Sequence, residues 1–210
     1  MEREGKAFRS NFVGYCLGES DMREYHPAFV AEMAKAAAAL CDPSDNVLKS
    51  DEWNDSINQI VVLRACACGW REIQEAGKVT PIGARREARN AVSMARRCAN
   101  QVDKRADNLC RMFNIPYEYR GGDQVMARSL WEAFRNLYVE VGNSKMCWVL
   151  ISTRIAKSEE TRAAIISQYG VPNEFLYNDE LMMDASLGAE AFAALVNSYL
   201  RGRANVMGKK

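Results

Sequence analysis

The chain has 210 residues, 48% apolar and 26% charged, a balance typical of a soluble globular protein with a buried core. No run approaches the ~20 apolar residues that span a bilayer, and the first twelve residues lack the apolar stretch of a secretory signal. We therefore expect no membrane partner and a cytoplasmic protein. Seven loosely spaced cysteines and a single histidine, His26, indicate reduced thiols, no metal site and no cofactor.

The net charge of +1 conceals an uneven distribution along the chain. Residues 1–60 contain 6 Lys/Arg and 11 Asp/Glu, whereas residues 61–120 contain 12 and 6. Residues 158–200 contain 1 and 7, and four basic residues follow in the last ten. This segmental polarity favours binding of a polyanion, pairing of subunits, or both.

Apolar residues at helical spacing predict an all-α fold of seven or eight helices, arranged as one compact unit or as two lobes flanking a basic cleft. An amphipathic arm is expected over residues 1–24, a helical core over 25–200 and a basic tail over 201–210. Pro27 suits the first turn of the first core helix. The second core helix is expected to end near Gly69, with a further turn after it.

The second half of the core continues the helical pattern. Asp123 is a candidate cap for a helix with a broad apolar face. Residues 144–157 are the most apolar stretch, for which we favour helix over strand because the surrounding elements are helical. Ser158 and Gly170 are expected to cap the two ends of the next helix, and a last helix is expected over 187–200.

The most distinctive feature is the helix predicted from Ala84 to about Phe113. On a helical wheel its small apolar residues fall within an arc of roughly 100° and form a packing face. Along one flank of that face lie most of its cations, over roughly 40 Å: Arg85, Arg86, Arg89, Arg96, Arg97, Lys104 and Arg111. Only Arg105 lies elsewhere, and Glu87, Asp103 and Asp107 compensate in part. Arginine is suited to phosphate because its guanidinium forms bidentate hydrogen bonds.

Further cations and aromatic side chains are expected beside this helix. The cations are Arg64, Arg120 and Arg128, and the candidate platforms for stacked bases are Tyr117, Tyr119 and Trp70. A basic groove with aromatic side chains is typical of proteins that bind single-stranded nucleic acid without sequence preference. A solvated helix face, ion pairing within the chain and pairing between subunits are the alternatives.

No catalytic motif is present: the chain lacks GxxxxGK[ST], GxGxxG, HExxH and GxSxG. The carboxylates of Asp51, Glu52 and Asp55 are explained by the dipole at a helix start. We therefore expect that the protein is not an enzyme.

The segment Glu52–Leu63, EWNDSINQIVVL, resembles part of the bunyavirus nucleocapsid proteins of the phenuivirus type. These carry an acidic–Trp pair, an Asp shortly after it and an Ile/Val run. The basic stretch that follows in the family is replaced here by Cys66–Arg71. The resemblance implies a helical protein that holds single-stranded RNA in a basic cleft and oligomerises through an N-terminal arm, with Phe8, Phe12 and Val13 docked on a neighbouring subunit.

The sequence thus leads to a viral nucleocapsid or coat protein, more broadly one of the small helical coat proteins of RNA viruses. It is expected to bind single-stranded RNA and to form a homo-oligomer, a helical or ring-like nucleoprotein, located in the virion and the host cytoplasm. The alternative is a helical protein-interaction or regulatory domain with no nucleic-acid ligand.

Overall fold

The computed structural model of the protein describes residues 27–41, 56–78, 85–116 and 124–208. These ranges form eight α-helices and contain no strand, which confirms the all-α prediction. The helices are α1 (Pro27–Leu40), α2 (Ser56–Lys78), α3 (Arg85–Met112), α4 (Gln124–Val141), α5 (Ser144–Ile155), α6 (Glu159–Tyr169), α7 (Asn173–Leu176) and α8 (Asp179–Met207). Within the same ranges, no helix is both long enough and apolar enough to cross a bilayer.

Side-chain and backbone caps define the ends of the later helices. Ser158 accepts a hydrogen bond from the backbone N–H of Thr161 at 3.2 Å, and Gly170 ends the same helix with a φ of 60°. A glycine tolerates this left-handed conformation without the steric cost of a Cβ atom. Both predicted caps of α6 are therefore confirmed. Asn143 and Asn178 cap α5 and α8 in the way that Ser158 caps α6.

Three predicted boundaries or states can be compared with the observed helices. Residues 144–157 contain the helix α5, as favoured. The prediction that α2 ends near Gly69 was wrong, because the helix continues to Lys78 with Gly69 buried inside it. The last helix begins at Asp179 rather than near residue 187, and it extends through residues 201–207 of the predicted tail.

The core lies where α4, α5 and α8 meet, with α2 packed against α4. Trp131, Phe134 and Trp148 are fully buried there, and the rings of Phe134 and Trp148 lie 5.2 Å apart between centroids. Nearly all of the buried apolar residues, from Met33 to Tyr199, belong to a single cluster. The described helices therefore form one compact unit, the first of the two predicted arrangements.

The described cysteines contribute to this core as free thiols. Cys66, Cys110 and Cys147 are buried. Burial raises the pKa of the Cys147 thiol far above its usual range, so the group stays neutral. A neutral buried thiol behaves as a small apolar side chain.

Candidate nucleic-acid interface

α3 packs mainly against α2, the preceding helix in the chain. Their contact uses the small residues of the predicted packing face: Ala95, Ala99, Ala106 and Cys110 are all buried. Val92, Val102, Leu109 and Phe113 are partly buried on the same side. Small side chains allow two helix backbones to approach closely, and the rest of the α3 perimeter remains open.

The predicted cations of α3 occupy this open side. Arg89, Arg96, Arg97, Lys104 and Arg111 are all exposed. Arg85 and Arg86 lie in the first turn of the helix, and their side chains are outside the described part of the structure. The described cations are therefore directed to solvent, and we refer to Arg89, Arg96, Arg97, Lys104 and Arg111 as the cationic edge.

The two acidic residues of α3 whose side chains the structure describes face the neighbouring helix. Asp103 and Asp107 accept hydrogen bonds from the guanidinium of Arg64 on α2, at 2.8 and 2.7 Å. Arg71, also on α2, forms a second ion pair with Asp103. Although burial opposes its charged form, hydrogen bonding to Asp107 and other nearby groups raises the pKa of Arg64, which remains cationic. Two cations of α2 thus neutralise Asp103 and Asp107.

This internal pairing leaves four cations of the cationic edge without counter-charges from the described residues. Among the described residues, no carboxylate forms an ion pair with Arg96, Arg97, Lys104 or Arg111. Exposed uncharged side chains, among them Ser93 and Asn100, lie between these cations. Hydroxyl and amide groups of this kind also donate hydrogen bonds to phosphate and sugar oxygens. The surface has the composition that a polyanion requires.

The other residues predicted to contact RNA do not belong to the cationic edge. Arg64 has a side chain only 16% exposed and is engaged between α2 and α3. Arg128 lies on α4 and forms an ion pair with Glu132 at 2.9 Å. Trp70 is only 8% exposed, so the prediction that it offers a stacking platform was wrong. The remaining predicted residues lie outside the described part of the chain: Tyr117, Tyr119 and Arg120, and the oligomerisation residues Phe8, Phe12 and Val13.

A second edge of α3 was not singled out from the sequence. Met94 and Met112 are 43% and 71% exposed, and Arg105 is exposed between them. The two methionines are eighteen positions apart, about five full turns, so they lie on the same line along the helix. Only the wheel position could have indicated this edge, because no local sequence motif distinguishes an exposed Met from a buried one.

No group of three His, Cys, Asp or Glu side chains in the described ranges is arranged to hold a metal ion. Comparisons of the chain with protein-family models, with curated proteins and with solved structures gave no match. The functional argument therefore depends on the geometry of α3 and its surroundings.

Proposed function

We propose that this protein binds single-stranded RNA along the cationic edge of α3 and packages it as a self-assembling viral nucleocapsid or coat protein. The observation that carries the proposal is the distribution of ion pairs. Asp103 and Asp107 are neutralised by α2, whereas Arg96, Arg97, Lys104 and Arg111 have no carboxylate partner among the described residues. Like charges on one helix edge destabilise the helix by a few tenths of a kcal/mol per pair, which a bound polyanion would offset.

The expected binding mode has no sequence preference. Guanidinium groups bind phosphate oxygens whatever base is attached, so a row of arginines recognises the nucleic-acid backbone and not the base sequence. If five cations each neutralise one phosphate, log K should fall with log salt with a slope of about −3.5. A change from 50 to 200 mM salt would then weaken binding about 100-fold.

The test measures this slope for the wild type and for the double variant Arg96→Gln/Arg97→Gln, by fluorescence anisotropy with a labelled oligouridylate. Removing two phosphate contacts should reduce the magnitude of the slope by about 1.4, since each contact contributes about 0.7. Lys145→Gln/Lys157→Gln is the matched control, because it removes two exposed cations from another part of the chain. Its slope should equal that of the wild type.

Two results would contradict the proposal. The first is RNA affinity that does not depend on salt, and the second is an equal effect of both double variants. Absence of RNA affinity together with binding to an acidic protein would favour the interaction-domain alternative. The absorbance ratio at 260 and 280 nm and electron micrographs of the purified protein test packaging directly, because co-purified RNA in rings or filaments is expected.

A further inference from the structure

The outer face of α8 combines exposed apolar side chains with carboxylates. Met183 is 60% and Leu187 is 49% exposed, and the two lie one turn apart on the same side of the helix. Glu180 and Glu190, both exposed, lie three residues before and after this pair, again on the same side. We call these four residues the acidic-apolar face. Nothing in the described part of the chain covers it, and exposed apolar groups next to each other are typical of interaction sites.

The second edge of α3 has the complementary composition. Met94 and Met112 provide apolar surface, and Arg105 provides a positive charge between them. We call these three residues the methionine edge. It lies about 180° round the helix from Asp103 and hence on the side away from the ion pairs with α2. Charges of opposite sign on two surfaces with exposed methionines favour contact between them.

We infer that the acidic-apolar face of one copy docks on the methionine edge of a second copy of this chain. Both surfaces are exposed in one chain, so the contact joins different copies. The acidic-apolar face spans about 15 Å of α8, enough to cover Arg105 and Met112, which are about 10 Å apart, but not Met94, which lies about 27 Å from Met112. Burial of Met183, Leu187 and Met112 would drive the contact, and the pairing of Arg105 with Glu180 or Glu190 would orient it.

The two surfaces of this contact differ, so the interface is heterologous. A docked pair of copies leaves one free surface of each kind, and assembly therefore continues into a ring or a filament. The cationic edge lies on the other side of the exposed arc of α3 and stays available for RNA. The inference rests on the packaging function proposed above, for which it names the subunit contact.

The test uses analytical ultracentrifugation of nuclease-treated full-length protein, so that no RNA contributes to the assembly. One variant, Met183→Asn/Leu187→Asn, removes the apolar part of the acidic-apolar face. The other variant, Met94→Asn/Met112→Asn, removes the apolar part of the methionine edge. All four residues are exposed, so folding should be unaffected. Val125→Asn/Leu200→Asn, which changes two other exposed apolar residues, is the matched control.

The wild type and the control should associate with increasing concentration, and each of the two variants alone should stay monomeric. An equimolar mixture of the two variants should form a 1:1 dimer that does not grow, because each copy then retains one intact surface. Association should weaken at about 1 M salt, where the Debye length is only about 3 Å.

Unchanged assembly of either variant, or a mixture that stays monomeric, would overturn the inference. RNA binding is measured separately on the wild type. A wild type that assembles without binding RNA would contradict the packaging function alone, and a wild type that binds RNA but stays monomeric at all concentrations would contradict the subunit contact alone.

Discussion

At the scale of single residues, Gly69 explains why the end of α2 was predicted wrongly from the sequence. Glycine often ends a helix, so Gly69 suggests a helix end at this position in the sequence. The structure places Gly69 against Trp131, where an added Cβ atom would lie 2.8 Å from ring carbons. The glycine therefore serves close packing between α2 and α4. That role depends on a residue sixty-two positions away, which no local pattern reveals.

We expect Gly69→Ala to destabilise the protein by about 1–3 kcal/mol, because the indole of Trp131 would have to move out of a filled core. The better helix propensity of alanine, worth about 1 kcal/mol, offsets only part of this cost. Gly208→Ala at the exposed end of α8 is the control and should have little effect. Urea denaturation followed by circular dichroism measures both, and an unchanged stability of Gly69→Ala would refute the packing argument.

At the scale of elements, the sequence located α3 to within one residue at each end, because its small apolar residues repeat with a strict helical period. It missed the start of α8 for a physical reason. Asp184 is buried and accepts a hydrogen bond from Asn136, so a polar residue occupies a core position and interrupts the apolar pattern. Likewise, the sequence does not show that Arg64 is engaged between α2 and α3 while the arginines of α3 are exposed. That difference depends on the register between the two helices.

The α2–α3 pair separates structural from ligand-binding cations, and Arg64→Met tests this separation. The change leaves Asp107 without its α2 partner and should cost about 1.5–3 kcal/mol of stability, as for hydrogen bonds to charged groups. The salt slope of RNA binding should stay the same. Arg96→Gln/Arg97→Gln should show the opposite result, a smaller slope with stability within about 0.5 kcal/mol of the wild type. A reduced slope for Arg64→Met would make Arg64 an RNA contact.

At the scale of the whole molecule, a buried polar network joins three helices across the core. Glu72 on α2 accepts hydrogen bonds from the indole N–H of Trp131 and, at 2.9 Å, from Arg135, both on α4. Asn136, next to Arg135, donates to Asp184 on α8 at 3.2 Å. Arg135 is fully buried, so its charge depends on Glu72 for compensation. Net charge and periodicity do not predict such a pairing, since Arg135 resembles a surface arginine in the sequence.

Glu72→Gln should cost about 3–5 kcal/mol of stability, because it leaves the guanidinium of Arg135 buried without its counter-charge. Glu72→Met/Arg135→Met should cost much less than the sum of the two single changes to methionine, since the double variant leaves no uncompensated charge in the core. A double-mutant cycle measured by urea denaturation should then give a coupling energy of about 1–3 kcal/mol between Glu72 and Arg135. Additive effects would mean that the two residues stabilise α2 and α4 separately. A large coupling would instead tie α2 and α4 into one unit, so that the helix supporting the cationic edge of α3 unfolds together with the core.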